Sequence, residues 1–134
     1  MSKSNATEDD TLTYWLTTDL FSINRPTEWH LALFKDDPAD DASGTEVSTG
    51  DDTAYVRQII SFSPVVSGVT SNSADISFPV VVLASASYSI SHFAIYDAAT
   101  AGNMLYYGSF GVTKTVIGGE VFSFTTGGIV ISED

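Results

Sequence analysis

The sequence predicts an all-β fold, mainly an antiparallel β-sandwich or a barrel-like arrangement, with one short N-terminal helix. Three observations lead there. Residues 89–110 read as a long hairpin: Ile90, His92, Ala94 and Tyr96 alternate with Ser91, Phe93, Ile95 and Asp97, turn formers fill residues 97–103, and Leu105, Tyr107 and Ser109 then alternate with Met104, Tyr106 and Phe110. Short apolar or alternating runs recur through the rest of the chain, separated by Gly, Pro, Ser and Asp. Only residues 8–21 carry helical spacing, and no internal repeat is visible, which excludes solenoids and propellers. The organisation expected is a single domain over residues 1–134, with an N-terminal arm at 1–7, a helix at 8–21 and a β-sandwich over 28–132.

Residues 1–7 are polar and predict a flexible arm. Leu12, Trp15, Leu16 and Leu20 follow at the spacing of an amphipathic helix, with Glu8, Asp9 and Asp10 in its first turn where the helix dipole favours acids. Asn5 or Thr7 would cap it, and its apolar stripe would pack against the sheet. Asn24 and Pro26 make a connector, after which residues 28–35 read as a buried strand with Trp29, Leu31 and Leu33 inward. Residues 36–53 form a long loop rich in turn formers and carboxylates. Strands are predicted at 55–63, where Pro64 ends the run, and at 74–79. Residues 65–72 read as a Ser/Gly-rich loop, and 80–87 has no clean period. Both strands of the hairpin carry large apolar residues on both faces, so each should be central in its sheet and covered on both sides. Residues 112–117, 120–124 and 129–132 complete the set, divided by the Gly118-Gly119 and Gly127-Gly128 turns.

Seventeen acids against five basic residues leave a net charge of −12, which opposes binding to nucleic acid or to an anionic membrane. Cysteine is absent, so disulfides, thiol catalysis and cysteine zinc sites are excluded. Neither a signal-peptide pattern nor an apolar run of about 18 residues occurs, so no membrane span is expected. Charged residues are only 16% of the chain, a surface rich in Ser, Thr, Gly and Ala of the kind a subunit shows when part of its exterior is buried in an assembly.

Catalysis finds no support in the motifs. No G-x-S-x-G elbow places a serine beside His92 and Asp97, and neither a phosphate-binding P-loop nor a dinucleotide fingerprint is present. His30 and His92 sit within predicted strands among aromatics, which favours packing over zinc or general-base roles. The Asp36-Asp-Pro-Ala-Asp-Asp41 run lacks the ligand order of an EF-hand, leaving a solvated acidic surface, a contact for a basic partner and a structural cation as its readings. Arg57 reads as the partner of a local acid. No cofactor is expected.

Several blocks together resemble a known family. Leu31-Ala-Leu-Phe-Lys-Asp-Asp-Pro38, Tyr55-Val-Arg-Gln58, Ser71-Asn-Ser-Ala-Asp-Ile-Ser-Phe-Pro79, Ser91-His-Phe-Ala-Ile-Tyr-Asp-Ala-Ala-Thr-Ala-Gly-Asn103, Leu105-Tyr-Tyr-Gly108 and Gly119-Glu-Val-Phe-Ser-Phe124 are similar to a family of small tail-fibre-like or minor virion structural proteins of tailed bacteriophages. Asp51-Asp-Thr-Ala54 departs from it, standing where the family has a run of glycines. The resemblance implies a non-enzymatic virion component assembled in the host cytoplasm, whose partners are other virion proteins, either the major capsid protein or tail proteins, together with further copies of the chain.

Two virion roles compete. A distal fibre needs reach, which a short single domain lacks, and that favours a capsid decoration or cement protein bound in many copies. A tail or tail-fibre subunit is the alternative, and a carbohydrate-binding module using Trp29, Tyr96, Tyr106 and Tyr107 is the reading from another class. The interface is expected at the acidic loop, through Asp36, Asp37, Asp40, Asp41, Asp51 and Asp52, and at the C-terminal tail, through Ile129 and Ile131, where an added strand would cross a subunit boundary.

Overall fold

Alternation of apolar side chains on both faces sets the centre of the molecule. In the computed structural model, which describes residues 1–133 and leaves Asp134 outside, the elements in chain order are β1 (Ser2–Lys3), α1 (Asn5–Leu16), β2 (Trp29–Phe34), β3 (Gln58–Ile60), β4 (Val69–Ser71), β5 (Ile76–Ser77), β6 (Tyr88–Tyr96), β7 (Met104–Val116), β8 (Ser123–Phe124) and β9 (Val130–Ser132). All named pairings are antiparallel. One five-stranded sheet has the order β1-β7-β6-β2-β3, and two ribbons pair β4 with β9 and β5 with β8. The fold is all-β with one short helix, and its sheets are open.

Leu31 and Leu33 of β2 share a face with their partners Ile95 and Phe93 of β6, and that face joins Ile76, Phe78, Phe122, Ile129 and Ile131 from the ribbon side in the main core. The opposite face, Ala32 and Phe34 against Ala94 and Tyr96, forms a smaller cluster with Met104, and the Phe34 and Tyr96 rings stack with centroids 6.4 Å apart. Double-sided burial of β6 follows the sequence pattern, and β2, expected with Trp29, Leu31 and Leu33 inward, is buried on both faces from His30 to Phe34.

Strand β7 departs from it. Ile90 faces Lys114 while His92 faces Ser109, so residues 110–113 stand against Ser91 alone as an irregular bulge, in which Phe110 still packs on Phe93 and Phe124. On the edge of β7 away from β6, the short β1 pairs at Tyr107 and Tyr106, and Ser109 and residues 111–115 are exposed. The predicted strand at 112–117 is the end of this same β7.

The N-terminus corrects the expected arm and helix. Ser2 and Lys3 are held in the sheet, and Ser4 is buried; it donates to Met104 O at 2.5 Å and its N–H donates to Leu105 O at 3.0 Å. Ser4, not Asn5 or Thr7, caps α1, accepting the Thr7 N–H. The helix therefore starts three residues earlier than residue 8 and ends at Leu16, where β-branched Thr17 turns extended and its N–H reaches back to Thr13 O. Leu20 lies beyond that end, which breaks the expected stripe. None of the α1 residues is buried, so the helix does not pack its apolar residues on the sheet.

Elsewhere the boundaries move. The strand predicted at 55–63 is only β3, because Tyr55 and Arg57 turn into side-chain contacts. The 65–72 loop contains β4, and the 74–79 and 120–124 strands shrink to β5 and β8.

Candidate functional site

The carboxylates of the 36–53 loop are spent largely on shaping the loop. Asp36 accepts from the Thr45 N–H and hydroxyl at 2.5 and 2.8 Å, Asp37 from the Ala39 N–H and Asp41 from the Ser43 N–H. Asp40 accepts from the Tyr107 hydroxyl, and its carbonyl accepts the Asn5 N–H. Asp51 pairs with Lys35 at 2.9 Å and accepts twice from Ser48, while buried Asp52 accepts the Ala54 and Val82 N–H groups. These are turn-stabilising Asp contacts of the kind Asp favours in loops. The two Thr45 donors hold the Asp36 carboxyl below the usual carboxylate range, as the Ser43 hydroxyl and N–H hold Asp41.

Ile129 and Ile131 lie in the chain's own main core. The four aromatics considered for a sugar platform are turned inward to different degrees: Tyr96 is buried, Trp29 packs at 6.4 Å on Phe62, and the Tyr106 and Tyr107 hydroxyls donate to Glu133 and Asp40. His30 is buried with Nε2 3.0 Å from Glu28 Oε1, and His92 Nδ1 lies 2.8 Å from Ser91 Oγ. Among the described residues no three His, Asp or Glu side chains gather as a metal site, and no helix is long and apolar enough to cross a membrane.

The surface that stands out is one the expected packing of α1 concealed. Leu12, Tyr14, Trp15 and Leu16 on α1, with Leu20 and Phe21 after it, are exposed; Trp15 is 74% and Leu20 95% accessible. A surface helix ordinarily hides one apolar stripe, and contiguous exposed apolar area on a folded protein marks a contact site. The Tyr14 ring meets Trp15 edge-on at 4.9 Å and Phe21 at 5.9 Å. The segment after the helix is held in place by Asp10, whose carboxylate accepts the Ser22 N–H at 2.6 Å and the Ile23 N–H at 2.7 Å. Between helix and segment runs a groove of about 430 Å³, lined by Tyr14, Trp15, Phe21, Arg25 and Leu105 among others. Lys3, Lys35, Arg57 and Lys114 each pair with an acid, whereas Arg25 beside this groove pairs with none among the described residues. The signal in the sequence was Tyr14, two residues from both Leu12 and Leu16: that spacing sets it on another side of the helix from their stripe, so one buried face could not take all of these residues.

The geometry offers contact surfaces rather than an assembled set of reacting groups. Residues 2–132 match the model of the family described as Podophage GP4 fiber I protein gp80. No curated protein matches the chain.

Proposed function

The chain belongs to the family of the podophage GP4 fiber I protein gp80, and on that membership we propose that it is a non-enzymatic fibre subunit of a tailed-phage virion. The observation that carries this reading is the match over residues 2–132, nearly the entire chain. It supports a tail or fibre location over capsid decoration, the reading that shortness alone favours. The exposed apolar face of α1 and the low charged fraction fit a subunit that works by association with other virion proteins and with its own copies.

The test is localisation and copy number in purified particles. Antibody labelling confined to fibres or tail, with a copy number far below that of the capsid subunits, is the expected result. Label spread over the whole head in hundreds of copies would restore capsid decoration, and absence from the particle would end both readings.

A further inference from the structure

We propose that the outer face of α1 with residues 20–26 is a docking surface for a different virion protein, a segment with apolar side chains at its centre and Lys or Arg at its rim. The inference rests on the fibre reading and deepens it by naming the surface and the chemistry of its partner.

The centre of the surface is apolar and mixed. Tyr14, Trp15 and Phe21 supply rings, and Leu12, Leu16 and Leu20 extend the area beyond them. A glycan would stack on the rings but would gain little from three leucines, whereas a protein segment buries both. Trp, Tyr and Arg are also the side chains that most often anchor protein contacts, and here Tyr14 and Trp15 stand beside Arg25, which pairs with no acid among the described residues.

The rim selects the partner. Glu8, Asp9 and Asp19 flank the apolar residues, all three are exposed, and among the described residues their side chains have neither a hydrogen-bond nor an ion-pair partner. In the 36–53 loop, by contrast, Asp36, Asp37, Asp41, Asp51 and Asp52 already hold donors of their own chain. The carboxylates around α1 therefore have no donor of this chain to give up on binding, and their charge favours a basic rim opposite and speeds encounter with it. A second copy would bring the same three acids and one cation to the contact, so the charge on each side would go uncompensated.

Purified phage particles carrying Leu16→benzoylphenylalanine, irradiated and read by mass spectrometry of the cross-linked peptides, test this directly. The expected product joins residue 16 to a peptide of another virion protein in which Lys or Arg flanks apolar residues. Trp15→Ser with Leu12→Ser should lower incorporation into particles about tenfold or more, the loss of one or two anchoring side chains. Because no α1 residue is buried, the same variant should melt with the wild type, which separates docking from folding. A cross-link to another copy of the chain overturns the proposal. So does wild-type incorporation of the variant, or a glycan-array signal that Trp15→Ala abolishes. In these cases the fibre reading survives as long as the chain is still found in the particle; if the chain is absent from particles, both fall.

Discussion

Arg57 grips Glu46 through two parallel hydrogen bonds, Nε to Oε1 at 2.8 Å and Nη2 to Oε2 at 2.7 Å, with the guanidinium only 3.7 Å from the centre of the Tyr96 ring. Its Nη1 donates to the Ala98 and Ala101 carbonyls at 2.9 and 2.8 Å, so one side chain ties the 36–53 loop to the hairpin loop. Tyr55 joins the knot, donating to Glu46 and accepting the Leu33 N–H. The Arg57 side chain is 7% exposed. Removing one partner of such a pair strands the other, so Arg57→Ala should cost about 3 kcal/mol in denaturant unfolding. Arg57→Lys keeps the charge but cannot form the fork, and should recover only part of the loss. If Arg57→Lys unfolds at the wild-type midpoint, the fork contributes nothing.

Acid should weaken the protein through its loop carboxylates. Thr45 holds Asp36 low, Ser43 holds Asp41 low, and Thr126 does the same for Asp75 through its N–H and hydroxyl. Burial pushes the Asp51 carboxyl up, but the Lys35 and Ser48 contacts outweigh it and the net shift is downward. For a carboxyl lowered in the fold, the unfolded chain binds the proton first. The stabilisation is complete above the ordinary carboxylate range, near about 4, and is lost as pH falls through the folded values. Relief of the −12 self-repulsion acts the other way, so the measurement belongs in about 0.15 M salt, where distant charges are screened. The melting temperature should then fall between pH 5 and pH 3, and less steeply in Asp51→Asn. A rise over that interval contradicts the assignment.

Alkali should act through the tyrosines. Burial, aided by the Asp52 charge, pushes the Tyr88 phenol up to about 12, and burial with the neighbouring Glu46 raises Tyr55 further. A group raised in the fold stabilises fully below its unfolded value, near about 10, and that stabilisation is lost as pH climbs through the folded value. Phenolate absorbance should therefore appear in two stages, with Tyr55 and Tyr88 ionising only together with loss of the near-ultraviolet dichroism. Tyr55→Phe should remove part of the second stage. A single smooth titration near pH 10 would mean that both rings are accessible.

How much of this could be read in the sequence depended on whether periodicity or tertiary contact decided the element. In β2 and β6 the alternation of Leu31, Leu33, Phe93 and Ile95 with Ala32, Phe34, Ala94 and Tyr96 is itself the cause of burial on two faces, so the pattern and the structure agree. The spacing of Leu12, Trp15, Leu16 and Leu20 is equally regular. It misleads because the helix ends before Leu20 and is set by the Ser4 cap and the β1 pairing, neither of which hydrophobic spacing encodes. Ile129 and Ile131 alternate with Val130 as a strand should, but alternation cannot say whether the buried face belongs to this chain or to a neighbour; the register of β9 on β4 puts it inside. The acidic run at 36–53 was visible as charge, while the donors that hold its carboxylates come from Thr45, Ser48, Lys35 and Val82, from three to thirty residues away.

Two glycines of that loop should respond in opposite ways to a methyl group. A Cβ built on Gly44 would stand 2.5 Å from Asp37 O and 2.5 Å from Pro38 Cα, both backbone atoms that cannot swing aside, whereas on Gly50 the nearest atom is Ser48 Oγ at 3.4 Å. Gly44→Ala should destabilise by about 1–3 kcal/mol, the range of overpacking. Gly50→Ala should be neutral or slightly stabilising, since it narrows the unfolded ensemble. Equal midpoints for the two variants would mean that the 37–44 turn yields easily.

The N-terminal anchor should be separable from the core. Ser4 caps α1 with one oxygen, and that same hydroxyl donates to Met104 O, so β1, the helix start and β7 meet at one side chain. Ser4→Ala removes the cap and leaves a buried carbonyl without its donor, a loss of about 1–2 kcal/mol. Most of that loss should appear locally, because α1 buries nothing in the main core: amide exchange in residues 5–16 should quicken while the β2 and β6 amides stay protected. Leu33→Ala is the counterpart, a fully buried core truncation that should cost about 2–5 kcal/mol and speed exchange everywhere. If Ser4→Ala instead speeds exchange equally in α1 and β6, the N-terminal segment and the sheet unfold as one unit, and α1 contributes to core stability despite its exposed face.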